Sequence, residues 1–219
     1  MVTIDSPSST SFRAAAACLL QFWRRPYRRF AVAERSFHGE EMLLLATLMS
    51  TVAGGRRGHF VELGAYDGLC GSNTLLLERC LEWSGVLIEA NPANFASLKA
   101  NAKQRQRSAV VHSAICALNG TASTGTVRMS VGKGATMAQL DATSRHHMAT
   151  WKIDPQQNGV AVACRPLASI MRESLPAPHR ANFLSLDVEG AEAAVLETVD
   201  PSAFDVIMRL ADKGITMRL

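Results

Sequence analysis

Residues His59 to Pro92 read HFVELGAYDGLCGSNTLLLERCLEWSGVLIEANP, and no other stretch limits the fold of this chain as strongly. An apolar run of strand length meets a glycine turn, a leucine-rich segment of helix length follows, and a second apolar run closes on Glu89. Runs apolar throughout are typical of interior parallel strands covered on both faces. Joining two of them through a helix requires a right-handed crossover.

The neighbouring sequence repeats this alternation. Glu40–Ala53 is expected to form a helix stopped by Gly54-Gly55. His59–Leu63 is expected as a strand, and Ser72–Trp83 as a helix with Ser72 or Asn73 available as N-cap. Gly85–Glu89 follows as a second strand. Asn91 and Pro92 then supply the cap and first residue of a helix in which Phe95, Leu98 and Ala102 recur at helical spacing. Beyond a third strand at Ala109–His112 lies Asn119–Asn158, rich in Gly, Ser, Thr and His; it reads as an insertion or lid with a local strand at Thr126–Val131. The alternation resumes with strand Val160–Cys164, helix Leu167–Ser174, strand Phe183–Asp187, helix Ala191–Val199 and a last apolar segment, Phe204–Met208. The fold class is α/β: a doubly wound, Rossmann-like, mostly parallel sheet with helices on both faces, occupying residues 35–219.

The formal charge of +4 belongs to a tail. Arg13, Arg24, Arg25, Arg28 and Arg29 stand against Asp5 alone in residues 1–33, and the rest of the chain is balanced. The basic balance therefore marks no nucleic-acid footprint on the body. Residues 1–34 read as a basic, disordered extension outside the fold; their composition also suits an organelle transit peptide, which leaves the compartment open between cytoplasmic and organellar. The apolar run Ala14–Trp23 is too short for a membrane span. Five widely spaced cysteines without a CxxC indicate neither a disulfide framework nor a zinc site, so they are expected to be small buried hydrophobes.

In a doubly wound sheet, ligands bind beyond the carboxyl ends of the strands. Gly64 and Gly68, in the turn ELGAYDG, allow a sharp bend, Ala65 between them is expected to border the ligand, and the amide-rich start of the next helix, at Asn73, suits an anionic group. Glu89, 25 residues after Gly64, ends the second strand, where a carboxylate accepts hydrogen bonds from both hydroxyls of a ribose. The turn lacks the second glycine of a dinucleotide fingerprint, having Tyr66 there, and Glu62 and Asp67 would repel a pyrophosphate. They suit an ammonium and a sulfonium, which points to S-adenosylmethionine and leaves NAD a distant alternative. A second acidic cluster follows the strand at 183–187: Asp187 closes it and Glu189 lies in the turn, while Glu192 is explained by the helix dipole. Neither His146-His147, which cannot share a helix face, nor the helix-ending Arg105-Gln-Arg107 carries a hypothesis.

FVELGAYDG, SNTLLLER, WSGVLIEANP and FLSLDVEGAE followed by VL occur in order across residues 36–207, and with them the chain resembles the FkbM family of S-adenosylmethionine-dependent methyltransferases. The resemblance implies a class I methyltransferase fold. It implies that the Gly64–Gly68 turn holds the methionyl end, Glu89 with Ala90 the ribose, and that Ser113-Ala114 lie near the adenine. It also implies that Asp187 and Glu189 face the transferred methyl; since methyl transfer to an alcohol needs a proton removed, one of them is expected to serve as base or to position the nucleophile, with a carboxylate-bound divalent metal the weaker alternative. The substrate class it implies is a sugar or other small molecule bearing a hydroxyl.

After Ile207 the family pattern continues with an acid, a helix and two strands, whereas this chain reads Met208-Arg-Leu-Ala-Asp-Lys-Gly and ends at Leu219. The expectation is a sheet whose distal edge is incomplete and open to self-association. A cofactor-binding or protein-interaction module without turnover is therefore the rival to an active enzyme.

Overall fold

A computed structural model describes residues 17–18, 57–118, 124–130, 159–188, 190–211 and 214–218. The helix expected at Glu40–Ala53, nearly all of the 1–34 extension and most of 119–158 lie outside the described residues.

The main sheet has six strands, in the spatial order Ser108–His112, Ser84–Glu89, His59–Leu63, Ala181–Leu186, Phe204–Ala211 and Gly214–Arg218. Strands β1 (His59–Leu63), β2 (Ser84–Glu89) and β3 (Ser108–His112) run outward in parallel; β7 (Ala181–Leu186) returns to the other side of β1, and β8 (Phe204–Ala211) pairs parallel to β7. The strand order reverses between β1 and β7, which makes their carboxyl ends the topological switch point.

Side chains alternate across this sheet with the period of two that a strand imposes. Val61, Leu63, Val86, Ile88, Leu184, Leu186 and Ile207 face one side, where Leu167, Ile170 and Met171 of α3 (Leu167–Ser174) and Val195 of α4 (Glu192–Leu196) cover them. Phe60, Leu87, Phe183, Val206 and Met208 face the other, under Leu77 and Leu81 of α1 (Leu75–Leu81), Trp83, and Leu98 of α2 (Pro92–Asn101). Burial on both faces is the physical reason these strands read as continuous apolar runs.

Three features differ from the sequence expectation. First, Val160–Arg165 forms β6 in a separate three-stranded sheet, parallel to β4 (Ala114–Ile115) and antiparallel to β5 (Gly125–Met129). Its alternating burial, in which Val162 and Cys164 are buried and Ala161 and Ala163 exposed, suits a sheet covered on one face only. Second, β8 runs past Met208 to Ala211, and β9 (Gly214–Arg218) pairs with it antiparallel, so the edge beyond residues 204–208 is occupied. Third, four of the five cysteines form disulfides: Cys116 with Cys164 across β4 and β6, and Cys18 with Cys80. Cα separations of 5.6 and 5.4 Å allow both bridges, and strand pairing creates that proximity between cysteines 48 residues apart in the first case. Only Cys70 is a free thiol.

Candidate functional site

The turn after β1 is built by its neighbours. Gly64 and Ala65 both donate their N–H groups to the Ile88 carbonyl at 3.1 Å, and Gly68 N–H closes the bend on the Ala65 carbonyl at 2.8 Å. Gly64 has φ +77°, and a Cβ there would lie 1.9 Å from the Asp187 carbonyl oxygen; at Gly68, φ +75°, it would lie 2.5 Å from Leu98 Cδ1. Backbone packed against the bend thus requires glycine at 64, while at 68 the left-handed φ is the main reason for it. Ala65 is buried within the core on the α1 side.

The acids of the turn are occupied locally. Glu62 Oε1 accepts from Asn73 N–H at 2.8 Å, and Oε2 from the hydroxyls of Ser72, at 2.9 Å, and Thr74. Asp67 Oδ1 accepts from the N–H groups of Leu69, at 2.9 Å, and Cys70, at 2.7 Å, an Asx-turn that shapes the exit of the bend. Burial, with Asp67's charge beside it, pushes the Cys70 thiol up.

Glu89 stands at the end of β2, 6% exposed. Its Oε2 accepts from Tyr66 N–H at 2.8 Å and its Oε1 from Asn91 N–H at 2.7 Å, so the carboxylate ties the β1 turn to the start of α2. Burial pushes its carboxyl above the ordinary glutamate range, against the lowering effect of hydrogen bonds from Asn91, Tyr66, Ala90 and the Asn94 side chain. Asn91 caps α2 as expected, its Oδ1 accepting from Ala93 N–H at 2.9 Å.

Ser113 and Ala114 lie beside Glu89: Ser113 N–H donates to the Glu89 carbonyl at 3.2 Å, and its hydroxyl donates to the Ala114 carbonyl at 2.6 Å. Ala90 packs against the small sheet of which Ala114 is part. Across the switch point, Asp187 N–H donates to the Leu63 carbonyl at 3.2 Å, which sets Asp187 directly beside Gly64. Glu189 lies outside the described residues. Glu192, 3% exposed, accepts from Gly190 N–H at 3.0 Å and pairs with Arg209 at 3.7 Å. It anchors the turn that carries Asp187 to β8.

The fold therefore gathers Gly64, Ala65, Asp67, Gly68, Asn73, Glu89, Ala90, Ser113, Ala114 and Asp187 at one end of the sheet. Sequence reading missed several of their partners. Tyr66, with φ +51°, supplies a backbone donor that no side-chain pattern reveals. His112 is in register with Glu89, stacks on Phe95 with ring centroids 4.7 Å apart, and meets the Ala90 carbonyl through Nε2 at 3.2 Å. Ser185 holds Asn73 Nδ2 at 3.0 Å. A shallow cavity of about 420 Å³ opens at the other end of the sheet, between Arg57, His59, Ser84 and Arg107, away from these groups.

Among the described residues, one buried side-chain polar atom lacks a partner: Asn73 Oδ1. A buried amide oxygen left unpaired costs about 1–3 kcal/mol, so a donor supplied by a ligand is favoured there. Glu89 is met by the N–H groups of Tyr66, Ala90 and Asn91 and by the Asn94 side chain, so a diol would bond its carboxylate by sharing or displacing one of these donors. An unpaired acceptor near the turn and an ionisable acceptor 6% exposed fit a ligand with an ammonium at one end and a diol at the other. Among the described residues, no group of three His, Cys, Asp or Glu side chains converges to hold a metal, and no helix is long and apolar enough to cross a membrane.

A family model described as "Methyltransferase FkbM domain" matches residues 62–215, well over half of the chain. No curated protein matches it. Loose similarity is found to an O-methyltransferase from Bacillus cereus in complex with SAH, with a TM-score of 0.37, 13% identity, and 95% of this chain and 68% of that one covered. A Klebsiella pneumoniae protein assigned as an O-methyltransferase gives a TM-score of 0.38, 10% identity and 93% and 66% coverage. The glycopeptide N-methyltransferase MtfA complexed with sinefungin gives 0.36, 14%, 89% and 58%. This chain thus spans 58–68% of the length of these proteins.

Proposed function

The chain belongs to the FkbM methyltransferase family, and from that membership we propose that it is an enzyme transferring a methyl group from S-adenosylmethionine to an oxygen of a sugar or another hydroxyl-bearing small molecule. The observation that carries the reading is the position of Glu89, a buried strand-end carboxylate bonded to the backbone of the β1 turn. In this reading Glu89 and Ala90 hold the ribose, and Ser113 and Ala114 border the adenine. The Gly64–Gly68 turn and Asn73 Oδ1 receive the methionyl end, while Glu62, Ala65 and Asp67 keep the turn in shape. The domain is taken as residues 35–219, with 119–158 as an insertion.

When bound, S-adenosylmethionine supplies a methyl group already activated by its sulfonium, so the chain's tasks are positioning and proton removal. Asp187, beside Gly64, is assigned the base: its carboxylate accepts the proton of the acceptor hydroxyl. Glu189 is the second candidate for that role.

Calorimetry with S-adenosylhomocysteine and transfer of isotopically labelled methyl groups into small-molecule extracts test the reading together. Binding and label transfer are expected. Binding without turnover would leave a cofactor-binding module, and absence of binding to folded protein would remove the reading altogether.

A further inference from the structure

Arg105 is 1% exposed, the largest charged side chain in the interior of the described residues. It follows α2 and the short turn Ala102–Gln104. Its Nε donates to Glu78 Oε2 at 2.8 Å, Nη1 to the Gly68 carbonyl at 2.6 Å and to Ser72 Oγ at 2.9 Å, and Nη2 to Thr74 Oγ1 at 2.8 Å. Four of its five N–H groups are thus committed. The Ser72 and Thr74 hydroxyls in turn donate hydrogen bonds to Glu62, so one guanidinium sits between two buried carboxylates, bonded to Glu78 directly and to Glu62 through these hydroxyls. Next to it, Asn101 Nδ2 donates to the Asp67 carbonyl at 3.0 Å.

Stability alone is a weak reason for this arrangement. A buried ion pair is often replaced by apolar side chains of the same volume without loss of stability. Apolar side chains, however, cannot hold the Asp67 and Gly68 carbonyls, and those two groups form the rear of the turn. Its front is held by Glu89, through Tyr66 N–H. Helix α2 joins the two: its N-terminus leaves from Glu89 by way of Asn91, and its C-terminal end delivers Asn101 and Arg105 to the back of the bend. Tyr66 and Gly68 both have positive φ, a conformation that persists where the surroundings over-determine it.

We infer that Arg105, together with Asn101, is a positioning residue that braces the Asp67–Gly68 side of the turn from behind and couples it through α2 to Glu89. The inference rests on the cofactor reading for its functional meaning. The brace itself is a property of the unliganded protein.

Two variants test it. Arg105→Met with Glu78→Leu removes the guanidinium together with the carboxylate it pairs with directly, while Glu62 keeps its bonds from Ser72, Asn73 and Thr74. Asn101→Ala releases the Asp67 carbonyl and leaves the ion pair intact. In unliganded protein, amide hydrogen exchange at Tyr66, Gly68, Leu69 and Cys70 is expected to speed up about tenfold in the double variant, with the β1 amides unchanged. A smaller acceleration confined to the same amides is expected for Asn101→Ala. In parallel, the dissociation constant for S-adenosylhomocysteine is expected to rise about tenfold and about threefold respectively.

Wild-type exchange at these four amides in both variants would overturn the brace. If the double variant does not fold, Asn101→Ala decides by the same criterion. Should wild-type protein not bind S-adenosylhomocysteine, the cofactor reading falls, while the exchange comparison still judges the brace.

Discussion

At Glu89, desolvation and hydrogen bonding pull the carboxyl in opposite directions, and desolvation prevails. Two consequences run oppositely with pH. The folded protein holds this proton to a higher pH than the unfolded chain does, so folding stability falls as pH rises from the ordinary glutamate range through the raised value. Binding a diol needs the ionised form, so affinity for S-adenosylhomocysteine rises over that same window. Titrating stability and affinity together should show the opposed slopes, and Glu89→Gln should remove both. At neutral pH that substitution is expected to weaken binding by about 1.5–3 kcal/mol, the range for a hydrogen bond to a charged group, read by calorimetry. For Asp187→Asn, turnover is expected to fall about 10²–10⁴-fold with the dissociation constant for the demethylated product nearly unchanged. A matching loss of affinity would move Asp187 from catalysis to binding.

Among the elements, the turn between β1 and α1 concentrates the packing constraints of the site. Replacing Gly64 by Ala forces an L side chain into φ +77° and drives its Cβ to 1.9 Å from the Asp187 carbonyl. A loss of about 3 kcal/mol or more is expected in urea denaturation, since backbone strain and overpacking act together. Much of this region was legible in sequence. The β1–α1–β2 unit and the strand-end positions of Glu89 and Asp187 follow from apolar runs and glycines, both local signals, whereas α1 begins at Leu75 after Thr74 and not at the Ser72 or Asn73 cap expected. What those signals do not carry is partnership. Glu62 and Asp67 look like ligand-facing acids until the structure shows their oxygens accepting from Asn73, Leu69 and Cys70. Arg105 looks like a routine helix-end cation because its partners, Gly68, Ser72, Thr74 and Glu78, are 27 to 37 residues away along the chain. Strand β6 joins a second sheet for the same reason, since periodicity reveals a strand but not its neighbour.

For the molecule as a whole, the disulfides are the least sequence-legible feature, because pairing needs proximity that spacing does not encode. The Cys116–Cys164 bridge ties β4 to β6 and packs the small sheet under Ala90, next to Glu89. Closing a loop of this length contributes about 2–4 kcal/mol, so Cys164→Ser should melt earlier than wild type in oxidising buffer. In reducing buffer the difference should largely vanish, and thermal unfolding with and without a thiol reductant measures it. The outer edge also differs from the open one expected, because β8 is flanked by β9. The hairpin partners β5 and β6 add a further property: Met129 and Val160 face each other in antiparallel register. Whatever lies between them departs and rejoins at points about 5 Å apart. Doubling or halving such an excursion changes its closure cost by only about 0.6 kcal/mol. A change in the number of residues between Met129 and Val160 is thus expected to leave the β5–β6 pairing in place.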